Sequence, residues 1–120
     1  MKEIYELVKK AVTALDAKKA EDVRVIKTAG LTDLAEYIVI CTGSSSTKIK
    51  TLADYAEVAL EEEGEKPLHR EGYMEGTWVL LDYGAFTINV FNSRTREFYS
   101  LEKLWQHGEM IDVSSLITKE

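Results

Sequence analysis

The sequence is poor in the residues that cross-link or ligate. It contains one cysteine, Cys41, and two histidines, His69 and His107. A single cysteine excludes an internal disulfide, and the three residues lie at no spacing typical of a zinc site. Proline is also rare, and no Gly- or Ser-rich stretch divides the chain. Neither a linker nor a low-complexity segment is predicted, and 120 residues fit one domain with its own core.

Long apolar runs are missing as well. The longest uninterrupted run is the five residues 37–41, whereas a membrane-spanning helix needs about 20 apolar residues. The first ten residues, MKEIYELVKK, are charged throughout and do not read as a signal peptide. We therefore expect a cytoplasmic protein with no membrane partner.

Basic residues are too few to favour binding of a nucleic-acid backbone over a wide face. The chain has 15 Lys and Arg residues against 21 Asp and Glu residues, which gives a net charge of −6. Binding along a nucleic-acid backbone draws its free energy from Lys and Arg side chains that displace counterions. Sequence-specific binding of nucleic acid is therefore not expected, and the composition favours a protein partner.

Two amphipathic helices and two short strands are predicted in the first half of the chain. Apolar residues recur at three- and four-residue steps over residues 3–19 and 45–64, which is typical of helices with one buried face. Residues 23–27 and 36–41 are short and rich in β-branched side chains, so they are predicted to be strands. The inward face expected for the second helix is Ile49, Leu52, Ala53, Ala56 and Leu60.

The second half of the chain predicts a third strand, a hairpin and a last helix. The third strand follows Pro67, the hairpin joins residues 77–83 to residues 86–91, and residues 92–105 have helical spacing. Three residues of that helix are expected to dock on the core: Leu101, Leu104 and Trp105.

The predicted order of elements is therefore α-β-β-α-β-β-β-α. This order indicates an α+β fold with a mixed β-sheet and helices mainly on one face. Residues 1–107 are predicted to form a single domain, and residues 108–120 are predicted to be a C-terminal tail.

The hairpin predicts its own register. Gly84 and Ala85 between two strand-like runs suggest a two-residue turn of type II′, which requires a positive φ at its first position. Tyr83 then lies opposite Phe86, and side chains alternate between the two faces of the ribbon. The face expected to enter the core holds six apolar residues: Val79, Leu81, Tyr83, Phe86, Ile88 and Val90.

The opposite face of the hairpin, called here the outer face, mixes large apolar and short polar side chains. Its six residues are Trp78, Leu80, Asp82, Thr87, Asn89 and Phe91. Aromatic anchors among polar groups are typical of protein interfaces. The alternative is that a helix covers this face and Trp78 is simply half-buried. Asp82 argues against that alternative, because a carboxylate beneath a helix needs a partner.

A nucleotide-dependent enzyme is the rival interpretation. Residues 40–48, ICTGSSSTK, run from a predicted strand into a helix, as many phosphate sites do. However, the stretch lacks the P-loop pattern, and Asp82 is the sole carboxylate in the predicted hairpin strands. Asp54 and Glu57 on the following helix are expected to be solvated. We predict no catalytic residue, cofactor or metal, while weak nucleotide binding at residues 42–46 stays open.

Three longer stretches carry a family resemblance. They are residues 36–57, EYIVICTGSSSTKIKTLADYAE; residues 78–91, WVLLDYGAFTINVF; and residues 96–105, REFYSLEKLW. In this order and spacing they resemble the ribosomal silencing factor family, RsfS, also called the Iojap family. The resemblance extends from residue 4 to residue 105.

The resemblance implies a nucleotidyltransferase-like fold with no established transferase activity. It implies a cytoplasmic or organellar factor that binds the large ribosomal subunit at its intersubunit face, through ribosomal protein fourteen of that subunit. Such a factor sterically blocks joining of the small subunit and represses translation under nutrient limitation. The resemblance further implies homodimers, so that a homodimerisation module using the same hairpin face is another alternative.

The predicted partner-binding residues come from the resemblance and from the hairpin. The resemblance places Trp78 and Asp82 in the family's contact region and adds Tyr99 from the third stretch. The outer face of the hairpin adds four residues: Leu80, Thr87, Asn89 and Phe91. Asn89 stands where His is common in the family.

Overall fold

The computed structural model describes residues 3–117, and in that range it contains four helices and six strands. The helices are α1 (Ile4–Ala17), α2 (Ser46–Glu61), α3 (Ser93–Tyr99) and the single turn α4 (Leu101–Leu104). The strands are β1 (Glu21–Lys27), β2 (Tyr37–Thr42), β3 (His69–Glu71), β4 (Trp78–Asp82), β5 (Phe86–Phe91) and β6 (Glu109–Ile111).

All six strands form one sheet in the order β3-β4-β5-β2-β1-β6. The neighbours β2 and β5 are parallel, and the other four pairings are antiparallel. The fold is therefore α+β with a mixed sheet, as predicted. The nucleotidyltransferase-like assignment stays a prediction.

The two long helices pack on one face of the sheet. Five residues of α1 and five of α2 are buried in one cluster with the inward residues of β1, β2, β4 and β5. The buried residues of α2 are Ile49, Leu52, Ala53, Ala56 and Leu60, which confirms the predicted inward face. The helical spacing of apolar residues thus identified how α2 covers the sheet.

The beginning of α2 explains the small residues of the ICTGSSSTK stretch. The Ser45 side chain accepts a hydrogen bond of 3.0 Å from the Lys48 backbone N–H, which caps the helix. A Cβ on Gly43 would lie 2.9 Å from the Ile49 Cγ1 atom and 3.2 Å from the Ile49 backbone nitrogen. Glycine is therefore needed at position 43 because the strand end and the helix approach closely.

The register of the hairpin agrees with the prediction at every pair. Trp78 lies opposite Phe91, and the pairing continues without a shift to Asp82 opposite Thr87. Gly84 has a φ of +82°, the positive value expected at the first position of the turn. The six residues predicted to face the core are all buried: Val79, Leu81, Tyr83, Phe86, Ile88 and Val90.

The last helix differs from the prediction of one helix over residues 92–105. Ser100 adopts a left-handed conformation, with φ 47° and ψ 57°, and separates α3 from α4. After this bend, Leu101 and Trp105 pack against the sheet, as predicted. Leu104 was expected to dock with them, but it is 66% exposed because the bend turns it away from the sheet.

Part of the segment expected to be a tail belongs to the sheet. Glu109–Ile111 form β6, which pairs with β1 from Val25 to Lys27, and Val113 is buried in the main cluster. A Cβ on Gly108 would lie 2.7 Å from the Ile26 Cγ2 atom, so the glycine lets the chain approach β1. The last three residues of the predicted tail, 118–120, lie outside the described range.

Candidate protein-interaction surface

The outer face of the β4–β5 hairpin is built around Trp78. Its indole ring stacks on the Phe91 ring at a centroid distance of 4.9 Å and meets the Tyr99 ring of α3 at 4.7 Å. The Trp78 Nε1–H donates a hydrogen bond of 3.1 Å to the Asn89 Oδ1 atom. The structure thus brings together four of the seven residues predicted to bind a partner.

Asn89 and Phe91 support this surface from below. Asn89 is 2% exposed, and its Nδ2 atom donates to the Val39 carbonyl and to the Thr87 hydroxyl. Phe91 has no exposed surface. Both residues lie on the predicted face, but neither offers a side chain to a partner in this conformation.

Leu80, Asp82 and Thr87 continue the surface toward the hairpin turn, and all three are half-buried. One Asp82 carboxylate oxygen accepts a hydrogen bond of 2.8 Å from the Gly84 N–H. The neighbouring edge strand β3 places His69 opposite Asp82, and its side chain is exposed. The hairpin turn therefore fixes Asp82, whose other oxygen receives no hydrogen bond from the described residues.

A groove beside Trp78 extends the surface onto α3. It has a volume of about 390 Å³ and is lined by Glu75, Thr77, Trp78, Arg94, Thr95, Phe98 and Tyr99. Phe98 is 79% exposed, and its ring meets the Tyr99 ring edge-on at 5.1 Å. Phe98 is not among the residues predicted from the sequence, although the adjacent aromatic pair in REFYSLEKLW was a signal that could have found it.

The opposite part of the outer face is covered. Leu101 and Trp105, with Trp78, pack against a small buried cluster. Its members are Ile26, Ile38, Ile40 and Phe91. The interpretation of a covered face therefore holds for β1, β2 and the end of β5, which lie beneath residues after Ser100. The interpretation of an accessible face holds for β4 and the beginning of β5, whose surface is half-exposed.

The geometry does not support a metal-dependent nucleotide site at the Thr42–Ser46 loop. Thr42, at the start of the loop, pairs with Phe91, and Phe91 pairs with Trp78 at the beginning of β4. Asp82 lies at the other end of β4, about 13 Å from Trp78 along the strand. Asp54 accepts a hydrogen bond of 2.8 Å from the Tyr73 hydroxyl and one of 3.4 Å from Arg70. Asp82 is therefore apart from the loop, and Asp54 is already paired.

Over residues 3–117, no group of three or more His, Cys, Asp or Glu side chains is arranged to hold a metal ion. The helices in the same range are too short or too polar to cross a membrane. The fold and the surface thus define a small α+β protein with a half-exposed aromatic patch on its sheet.

The model of the family RsfS, described as "Ribosomal silencing factor during starvation", matches residues 1–120. The chain therefore belongs to the ribosomal silencing factor family, which confirms the family suggested by the three stretches. This assignment joins the chain to relatives that are named as regulators of the ribosome rather than as enzymes.

Relatives and a solved structure resemble the chain over most of its length. The ribosomal silencing factor of Halalkalibacterium halodurans is 34% identical over 94% of this chain and 97% of its own. The ribosomal silencing factor of Chromobacterium violaceum is 36% identical over 86% and 84%. A crystal structure of a Chromobacterium violaceum protein has a TM-score of 0.85 at 35% identity, covering 88% of each chain.

Proposed function

We propose that this protein is a non-enzymatic factor that represses translation under nutrient limitation. It binds the large ribosomal subunit at its intersubunit face through ribosomal protein fourteen of that subunit. The bound protein then blocks joining of the small subunit. We place this activity in the cytoplasm. The membership of the family supports the broad function, and the outer face of the hairpin supports the choice of surface.

The observation that carries the proposal is the half-exposed surface around Trp78. Exposed aromatic side chains with a few polar neighbours are the residues that dominate the binding free energy of many interfaces. Here Trp78, Tyr99 and Phe98 form the aromatic part, and Leu80 and Asp82 extend it along β4. The sheet holds Trp78, Leu80 and Asp82 in place before a partner binds, which lowers the entropic cost of binding.

Steric occlusion requires only that the bound protein be large enough. The described part of the chain measures about 33 × 32 × 32 Å. A body of this size on the intersubunit face prevents direct contact between the two subunits around it. The mechanism needs no covalent step.

Purified ribosomal subunits provide the test of function. Preincubating large subunits with the protein should reduce their reassociation with small subunits in a sucrose gradient, and the protein should sediment with the large subunits. The protein should not sediment with small subunits when these are the only subunits present. Normal reassociation at saturating protein would contradict the proposal.

The Trp78→Ala variant tests the surface. Truncating an aromatic anchor costs about 2 kcal/mol or more, which corresponds to about 30-fold weaker binding to large subunits. Tyr55→Ala is the matched control, because Tyr55 is 45% exposed on α2, which covers the other face of the sheet. Equal affinities of Trp78→Ala and the parent would show that another surface binds.

Asp82→Asn separates charge from shape at the same surface. The asparagine oxygen can still accept the Gly84 N–H, so the hairpin turn should persist. If Asp82 meets a basic group of the partner, the variant should bind more weakly, and the difference should shrink as salt increases. A difference that is independent of salt would exclude a charge contact.

Self-association through the same surface is the competing use of Trp78. Sedimentation velocity of the free protein at several concentrations measures it, with Trp78→Ala and Tyr55→Ala run beside the parent. A dimer that is lost only in Trp78→Ala, without any binding to large subunits, would favour a homodimerisation module over a ribosome-binding factor.

A further inference from the structure

One buried residue attaches α3 to the sheet. Of the seven residues of α3, all of them described, Arg96 alone is buried, and it is 7% exposed. No residue of α3 belongs to the main buried cluster, and α4 contributes no buried residue. Apart from its cap at Asn92 and the contact of Tyr99 with Trp78, the short helix is therefore held in position by the contacts of Arg96.

The Arg96 guanidinium contacts three other elements. Its Nη1 atom donates to the Asp22 carbonyl of β1 at 2.8 Å and to the Thr42 hydroxyl of β2 at 2.9 Å. Its Nε and Nη2 atoms both donate to one Glu102 carboxylate oxygen, at 3.1 and 2.9 Å. Hydrogen bonds that involve an ionised donor and acceptor are stronger and more directional than neutral ones. The side chain thus links α3 to β1, β2 and α4.

The same short helix provides the aromatic wall of the candidate surface. Tyr99 lies three residues after Arg96 and packs on the Trp78 ring, and Phe98 meets Tyr99 edge-on. A displacement of α3 by a few ångströms would separate Tyr99 from Trp78 and open the groove between them.

We propose that Arg96 is a positioning residue for partner binding: it holds α3 so that Tyr99 and Phe98 stand beside Trp78. The proposal rests on the proposed function and adds to it a residue that does not itself touch the partner. Because the main buried cluster contains no α3 residue, loss of the guanidinium should release α3 while the sheet, α1 and α2 keep their packing.

The Arg96→Met variant tests the proposal, because methionine keeps an apolar stem and removes every hydrogen bond of the guanidinium. We expect at least about tenfold weaker binding to purified large subunits, since a disordered α3 must be ordered again when the partner binds. Amide hydrogen exchange should accelerate in residues 93–99 and stay unchanged in α1 and α2. Parent-like affinity of folded Arg96→Met, or unchanged exchange in α3, would overturn the proposal.

Arg24→Met is the matched control. Arg24 donates to the same Asp22 through a hydrogen bond of 3.0 Å between its Nε atom and the Asp22 carboxylate. Its side chain is 46% exposed on β1, and the other oxygen of the Asp22 carboxylate lies 3.5 Å from the Arg96 Nη2 atom. This variant removes the same charge near the same carboxylate, so its affinity should stay within about twofold of the parent, as expected of a surface ion pair.

A double-mutant cycle with Tyr99 tests whether Arg96 affects partner binding by positioning Tyr99. If Arg96 acts through Tyr99, then Arg96→Met in a Tyr99→Ala background should weaken binding much less than it does in the parent. Independent effects that multiply would mean that Arg96 acts by another route and would overturn the proposal. Glu102→Gln, which weakens the same anchor but keeps its shape, takes the place of Arg96→Met if that variant does not fold.

The result for Trp78→Ala distinguishes the two levels of the proposal. Weak binding of Trp78→Ala together with parent-like binding of folded Arg96→Met would refute the positioning role alone. Parent-like binding of Trp78→Ala would refute the proposed surface, and the role of Arg96 with it.

Discussion

Asn89 lies beneath Trp78 and accepts the hydrogen bond of the indole Nε1–H at 3.1 Å. The same amide donates to the Val39 carbonyl on the neighbouring parallel strand and to the Thr87 hydroxyl. The orientation of the Trp78 ring is therefore set from the centre of the sheet. A polar residue that is 2% exposed thus connects the core to the surface.

Removing this amide should loosen Trp78 and destabilise the fold. We expect Asn89→Ala to lower the free energy of unfolding by about 1–3 kcal/mol, because the indole N–H loses its partner in a half-buried place. Urea unfolding measures the change, and the NMR signal of the Trp78 indole proton should shift. Thr87→Val removes only the acceptor at the edge of the network and should cost less. Equal losses in the two variants would contradict the role assigned to the Trp78 contact.

Substitution with alanine should destabilise the fold more at Gly72, near Trp78, than at Gly64, which has nearly the same φ angle. Gly72 and Gly64 have φ values of +80° and +82°. A Cβ at Gly72 would collide with the Trp78 carbonyl oxygen, whereas a Cβ at Gly64 meets nothing within 4 Å. Gly64→Ala should therefore cost about 1 kcal/mol from its backbone angle alone, and Gly72→Ala clearly more. Urea unfolding of both variants measures the difference, and equal costs would contradict the close approach.

The thiol of Cys41 should be unreactive in the folded protein. Burial raises the pKa of Cys41 to about 12, and the side chain has no exposed surface. Since the thiolate is the reactive form, a thiol reagent at pH 8 should not label the native protein within minutes. The same reagent in guanidinium chloride should label one thiol per chain. Rapid labelling under native conditions would show that β2 opens locally.

Tyr83 should make the fold sensitive to alkaline pH. Burial, followed by the nearby Glu57 and Glu65 carboxylates, raises the pKa of Tyr83 above its ordinary value near 10. Because the folded state binds the phenolic proton more tightly than the unfolded state, this group's contribution to stability is present below about pH 10 and is lost as the pH rises further.

The Tyr83→Phe variant isolates that contribution. Its free energy of unfolding should fall less than that of the parent between about pH 10 and 11. The hydroxyl of Tyr83 has no hydrogen-bond partner among the described residues, so the substitution should cost little at pH 7. Tyr55→Phe, at an exposed position on α2, is the control and should follow the parent. Identical pH profiles for Tyr83→Phe and the parent would contradict the prediction.

The hairpin could be predicted from the sequence because two local signals agree. The alternation of side chains predicts which residues lie on each face of the hairpin, and Gly84 predicts the position of the turn. Counting residues outward from the turn then pairs Trp78 with Phe91, as the structure shows. In the same way, three- and four-residue spacing identified the inward face of α2. Both are consequences of backbone periodicity, which short stretches of sequence record directly.

Other features depend on contacts between distant residues. Alternation places Phe91 on the outer face, but Leu101 and Trp105, which reach the sheet after a bend at Ser100, pack against the buried cluster that contains it. Asn89 is buried beneath Trp78. A left-handed serine leaves no signal comparable to glycine. Whether Trp78, Leu80 and Asp82 bind a partner stays a prediction, because the fold shows that they are accessible and not what they bind.

The strand β6 has a practical consequence for anyone who shortens this chain. It pairs with Val25, Ile26 and Lys27, and its three residues form one border of the sheet, as the three residues of β3 form the other. Short border strands give other molecules little backbone to pair with, which protects a sheet against aggregation. Deleting the chain after residue 107 would expose the longer β1, with its apolar Val25 and Ile26, as a template for intermolecular β-structure.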